Sequence, residues 1–200
     1  MADVRERLLG SAAALFASKG YAATTVREIV ERAGVTKPAM YYYFRSKEGI
    51  YRDLMQGPLD GFVGRIESVM REKGTCRERL SRICLYAYDD FVRNLDLARI
   101  LFSFYYGPPQ GAPFVDFDAV HLRFQDCVIR VLEDGIRGGE IRRGNPADMM
   151  WVVAGAVNVV MELELCRPSQ AVGRKGIERM LDVIFEGIAG NGARGKGKER

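Results

Sequence analysis

From position 36 to 44 the chain reads Thr36-Lys37-Pro38-Ala39-Met40-Tyr41-Tyr42-Tyr43-Phe44. Three adjacent tyrosines cannot all be buried in one short helix. Thr36 suits an N-cap, because its hydroxyl accepts an otherwise orphan amide N–H. Pro38 falls in the first turn, where a missing N–H matters little. At roughly 100° per residue, Met40 and Phe44 share one face, and Pro38 and Tyr42 the opposite one. The first face can pack. The second offers phenol rings and hydroxyls, small apolar groups and the Lys37 cation. This is the chemistry a helix needs in the major groove of DNA. Lysine donates to guanine O6 and N7, small apolar groups meet thymine methyls, and hydroxyls and cations hold phosphates.

The preceding stretch positions that face. Thr24-Thr25-Val26-Arg27-Glu28-Ile29-Val30-Glu31-Arg32 reads as a second short helix. Glu28 lies three residues after Thr25, which is capping-box spacing. Val26, Ile29 and Ala33 stack on one side. Gly34 can take the left-handed conformation that stops a helix, and Val35 plugs the turn. A helix, a three-residue turn with glycine and a second helix make a helix-turn-helix over residues 25–44. Together, Phe16, Gly20-Tyr21, Thr24-Thr25-Val26, Ile29, Ala33 to Lys37, Tyr41 to Phe44 and Ser46-Lys47-Glu48 resemble the N-terminal DNA-binding domain of the TetR family of bacterial transcriptional regulators. The resemblance covers residues 3–55. It implies that Lys37, Pro38 and Ala39 face bases, with Pro38 standing where the family often has a small residue. It also implies that Thr25, Arg27, Thr36, Tyr41, Tyr42 and Lys47 contact phosphate or sugar. In the family the helix after this head swings when a ligand binds.

The charge distribution is compatible with this reading. Residues 1–50 hold 8 Lys/Arg against 5 Asp/Glu, and residues 190–200 hold 4 against 1, while the middle is slightly acidic. A basic head on a near-neutral body suits a polyanionic partner. Cys76, Cys84, Cys127 and Cys166 are scattered, with no C-x-x-C and a single histidine. They read as reduced thiols of a cytoplasmic protein, without a metal or cofactor. Asp3 and Glu6 stand where a secretion signal would be positive. The apolar run from Met149 to Met161 contains Asn158 and is short for a bilayer, so no membrane segment is expected.

The pattern predicts an all-α chain of about nine helices in three parts. Residues 1–50 form a three-helix DNA-binding head, 51–189 a helical ligand-binding and dimerisation domain, and 190–200 a disordered basic tail. Helices are expected over 3–19, over 46–73 with a kink near Gly57-Pro58, and over 76–94, 95–106, 114–138, 146–166 and 171–189. Gly107 to Pro113 is the clearest loop.

The helix at 146–166 is apolar on most sides. Small residues at Ala154-Gly155-Ala156 would let a partner helix approach. Trp151, Gly155 and Val159, with Met180 and Ile184 of the last helix, are therefore candidates for a homodimer interface. A two-fold dimer would set two reading helices about 34–36 Å apart, matching a palindromic operator. Phe102, Tyr105, Tyr106, Phe117 and Phe124, with His121, Gln125, Asn158 and Glu162, are candidates for a pocket taking a small hydrophobic or aromatic effector. No nucleophile–base arrangement, metal spacing or phosphate loop is present, so the chain is not read as an enzyme. The expected function is a ligand-responsive repressor. A helical small-molecule or lipid carrier is the alternative, but a carrier has no use for an exposed Tyr-Tyr-Tyr face.

Overall fold

The computed structural model describes residues 3–109 and 111–187. Among the described residues there are nine α-helices, one 3-10 turn at Pro168–Gln170 and no strand. The basic stretch expected at 190–200, and Ile188 of the last helix, lie outside the described residues.

The helices are α1 (Val4–Ala23), α2 (Val26–Ala33), α3 (Lys37–Phe44), α4 (Lys47–Arg71), α5 (Cys76–Arg93), α6 (Leu95–Tyr106), α7 (Phe117–Arg137), α8 (Pro146–Cys166) and α9 (Gly173–Glu186). Local chemistry accounts for most of their ends. Helix α1 breaks at Gly20, whose φ of 83° only glycine adopts cheaply. Helix α4 runs on through Pro58. Helix α7 begins three residues later than the apolar pattern suggested. Asp116 accepts the Ala119 amide at 3.0 Å and starts the helix there. Phe114 is left outside α7 and 79% exposed. Helix α9 is shorter than expected and stops at Gly187, where φ is 78°.

Two compact units form: the residues up to Arg65 with Asp90–Leu122, and Ile66–Asp89 with the residues from Arg123 on. In the first, the head unit, Leu8, Phe16, Ile29, Met40, Phe44, Ile50, Tyr51 and Met55 make a continuous core with Ile100, Val115 and Phe117. Each such side chain contributes about 1.5–3 kcal/mol on burial. The three-helix segment α1 to α3 would be marginal alone. It is completed by α4 and by α6, which lies along α1. In the second, the body unit, Leu80, Ile83, Cys84, Val128, Val131, Met150, Val153, Val157, Val160, Ile177 and Leu181 are buried. Glu140 accepts the Cys76 amide at 2.6 Å and so caps α5 from a distant part of the chain. The Tyr88 hydroxyl donates to Glu164 at 2.6 Å.

Candidate nucleic-acid interface

Helix α2 opens on a complete capping box. The Thr25 hydroxyl accepts the Glu28 amide, and the Glu28 carboxylate accepts the Thr25 amide at 2.9 Å. The same carboxylate pairs with Lys19. The Lys19 bond, then those from Thr25, pull the Glu28 acid down to about 2 from the usual 4.5. A depressed acid stabilises the fold above the unfolded value, and that contribution disappears as pH falls from about 4.5 towards 2. Wild-type denaturation midpoints are therefore expected to drop across this window. In Glu28→Gln the decline should be shallower, and parallel curves for the two proteins at pH 3 and pH 6 would count against the assignment.

Helix α2 ends on Gly34 in the left-handed region, with φ 63°. The Arg7 guanidinium of α1 donates to Ala33 O, at 3.0 Å from Nε, and to Gly34 O at 2.7 Å. A cation on the orphan carbonyls at a helix C-terminus is favourable. Gly34 is constrained a second time, because a Cβ there would meet Arg7 Nη2 at 3.2 Å. Arg7 was not singled out by the sequence. Its only signal is a basic residue on the side of α1 that faces the next helix.

In α3 the Thr36 hydroxyl accepts the Ala39 amide at 3.4 Å. Met40 and Phe44 are buried, whereas Tyr42 is 82% exposed, Tyr41 48% and Tyr43 39%. Lys37 and Pro38 are exposed and Ala39 half-buried beside them. Lys37, Pro38, Tyr41 and Tyr42 thus share one solvent-facing surface. The helix closes on Arg45, a non-glycine residue with φ 61°. That conformation costs roughly 1–2 kcal/mol for a residue with a Cβ.

Not every basic residue of the head faces solvent freely. Arg5 pairs with Asp53 at 2.9 Å. Arg27 pairs with Glu31 one helical turn on, an exposed and readily broken contact. Arg32, Lys37 and Arg45 are exposed and carry no intramolecular partner among the described residues. Lys47 is tied to the main chain. Its ammonium donates to Tyr21 O and Thr24 O, both at 2.9 Å, and lies 4.1 Å from the centre of the Tyr21 ring. Burial pushes its pKa down. Lys47 therefore closes the end of α1, as Arg7 closes α2, and its ammonium is already engaged within the chain.

The interface candidates on α8 and α9 lie on one side. Met150, Val153, Ala154, Val157 and Val160 are buried, while Trp151 is 57% and Val159 50% exposed. An apolar stripe of the helix, with Trp151, Val152 and Val159, stays exposed among the described residues. Gly155, Met180 and Ile184 are half-buried beside it. Val152, Ala156, Gly176, Met180, Val183 and Ile184 line an apolar groove between the two helices. Helix α8 is 21 residues long with mean hydropathy 1.6 in its most apolar window, enough by length and composition to cross a membrane. The shorter run read from the sequence understated this. Asp148, Asn158, Glu162 and Glu164 interrupt it.

The effector candidates are not gathered within either unit. Phe102, Tyr105, Tyr106, Phe117 and His121 belong to the head unit; Phe124, Gln125, Asn158 and Glu162 belong to the body. Phe117 is a core residue against Phe104, with ring centres 4.9 Å apart. The Tyr105 hydroxyl donates to Asp118 at 2.8 Å. Phe102 stacks on Tyr106, which is exposed. His121 is exposed. Asn158 and Glu162 follow Trp151 and Gly155 at helical spacing and are exposed on the same stripe of α8.

Cys76, Cys84 and Cys127 are buried and Cys166 is exposed, all as free thiols. Burial pushes the Cys84 thiol up to about 12 and Cys76 to about 11, which keeps both protonated. Among the described residues no group of His, Cys, Asp or Glu could hold a metal.

Residues 8–54 match the family model of bacterial regulatory proteins of the tetR type. The transcriptional repressor KstR2 of Rhodococcus jostii is 28% identical over 142 residues, 69% of this chain and 68% of that protein. The structure of the regulator PfmR from Thermus thermophilus aligns with TM-score 0.74 at 25% identity, over 92% of this chain and all of that one. FadR from Bacillus subtilis, solved with stearoyl-CoA, aligns with TM-score 0.69 at 20% identity, over 92% of this chain and 99% of that one. With the capped helix-turn-helix and its exposed tyrosine face, these likenesses identify residues 8–54 as a DNA-binding domain of the tetR type of bacterial regulatory proteins.

Proposed function

We propose that the protein is a cytoplasmic homodimeric repressor that binds a palindromic operator and is released from it by a hydrophobic small molecule. The observation that carries this reading is the solvent-facing surface of α3, which presents Lys37, Pro38, Tyr41 and Tyr42 beside the unpaired Arg45. Lys37, Pro38 and Ala39 are assigned to base edges. Tyr41, Tyr42, Thr36, Thr25 and Arg27 are assigned to phosphates and sugars, and Arg45 joins them on its exposure and charge. The Thr36 hydroxyl accepts an amide and keeps its own proton to donate. The repressing direction follows the relative KstR2. DNA favours one spacing of the two reading heads and the effector another, so each weakens the other by the same factor. FadR of B. subtilis holds stearoyl-CoA on the same fold, which makes a long-chain acyl-CoA the first effector to try.

Selection of bound sequences from random DNA tests the operator. A two-fold site with half-sites one helical turn apart is expected. On that site, Lys37→Ala should relax the preference at one base pair by about 1–3 kcal/mol. Tyr42→Phe should weaken every sequence alike, by about 1 kcal/mol for one lost hydrogen bond. Unchanged affinity and unchanged preference in both variants would remove α3 as the reading element.

A further inference from the structure

The head unit holds a partly enclosed cavity of about 290 Å³ between α1, α4, α6 and the turn that follows α6. Its walls include Phe16, Tyr21, Tyr51, Ser103, Phe104 and Ala112. None of the effector candidates read from the sequence lines it. Tyr51 is 2% exposed, and its ring stands edge-on to Phe16 and Tyr21, with centres 5.6 and 5.1 Å away. Among the described residues neither the Tyr51 nor the Tyr21 hydroxyl makes a side-chain hydrogen bond, and neither oxygen is sealed from the open space of the cavity. Burial pushes both phenols up, so they remain neutral donors.

We propose that this cavity is a binding site for a neutral, compact aromatic molecule bearing a carbonyl oxygen, with the rings of Phe16, Tyr21, Tyr51 and Phe104 around its body and the two phenols donating to its oxygen. The size fits, since a dry apolar cavity of roughly 150 Å³ already accepts benzene. A charged occupant is disfavoured, because no unpaired cation lines the walls and burying a lone charge is costly. The site also has a direct route to the reading head. Gly20 and Tyr21 in its wall form the break in α1. Tyr21 O is held by Lys47, and the buried Thr24 hydroxyl donates to Gly20 O at 2.8 Å, one residue before the N-cap of α2. An occupant therefore bears on the turn from which the helix-turn-helix begins. That regulatory consequence rests on the operator-binding reading above; the binding itself does not.

The test is calorimetric titration of the full-length chain with acetophenone and with 1-indanone, alongside thermal melting. Saturable binding of at least one is expected. Tyr51→Phe keeps the ring and loses the donor. It should weaken binding about five- to tenfold, as expected for one neutral hydrogen bond, without lowering the melting temperature of the unliganded protein. Ala112→Phe fills the cavity and should abolish binding. No saturable binding of either ketone to the wild type, or wild-type binding by both variants, overturns the site. A Tyr51→Phe protein that melts lower without ligand would overturn it too, by showing that the hydroxyl is structural. Operator binding by the unliganded wild type is measured in parallel. Its absence would count against the regulator reading and leave the ketone result standing.

Discussion

Gly49→Ala is expected to destabilise the head by about 3 kcal/mol or more, beyond the range of ordinary point substitutions. A Cβ at position 49 would lie 2.0 Å from Phe44 O and 3.2 Å from its carbonyl carbon. The obstacle is main chain, so no side chain can swing away. The backbone there is already set by Arg45 in the left-handed region and by the Ser46 hydroxyl, which accepts the Gly49 amide at 3.0 Å. Relief requires α3 and α4 to separate, which moves the reading face against the core that holds Met40 and Phe44. For a chain of this size the melting temperature should fall by roughly 6–12 °C, at about 2–4 °C per kcal/mol. Operator binding should be lost with it. Gly61, on the same helix, has nothing within 4 Å of its would-be Cβ. Gly61→Ala should therefore gain up to about 1 kcal/mol of helix propensity. The opposite signs of the two changes separate a backbone collision from a general intolerance of alanine in α4. Equal melting of Gly49→Ala and wild type would show that the close approach does not exist.

Trp151→Asp is expected to leave the single chain folded and to abolish the dimer. Trp151 is 57% exposed within one chain, so its replacement should alter chain stability by no more than about 0.5 kcal/mol. Buried between two copies of α8, an aspartate would be an unpaired charge beside the apolar stripe of Val152 and Val159, a loss of several kcal/mol to association. Each operator half-site would then be bound separately. Losing the second attachment should weaken operator binding by roughly 10²–10⁴-fold. Sedimentation at micromolar concentration should show a monomer, with helical content and melting close to wild type. A dimer with wild-type operator affinity would refute the interface.

The elements of the head were legible because their signals are local. The Thr25–Glu28 capping box, Gly34, the Thr36 N-cap and the Met40–Phe44 spacing each act within one or two helical turns, and each is found as read. The exposure of Tyr42 follows from helical periodicity once Met40 and Phe44 are inward. The share of α6 and of the start of α7 in the head core was not legible, because Ile100 and Phe117 reach that core through contacts that no local spacing encodes. The carbonyl partners of Arg7 and Lys47 were not legible for the same reason. A basic residue near a DNA-reading helix looks alike in sequence whether its charge meets a phosphate or a carbonyl of a distant helix end.

Sequence alone determined that this chain is helical, that it carries a helix-turn-helix and which face of α3 looks outward, because capping and periodicity are short-range physics. Tertiary structure alone decided which cations are free and which tie one helix to the next. It also decided that Trp151, Val152 and Val159 of α8 stay exposed among the described residues, and that the Tyr51 ring is buried at the wall of a cavity. Each of these depends on groups far apart in the chain arriving within a few ångströms of one another, and only packing brings them together.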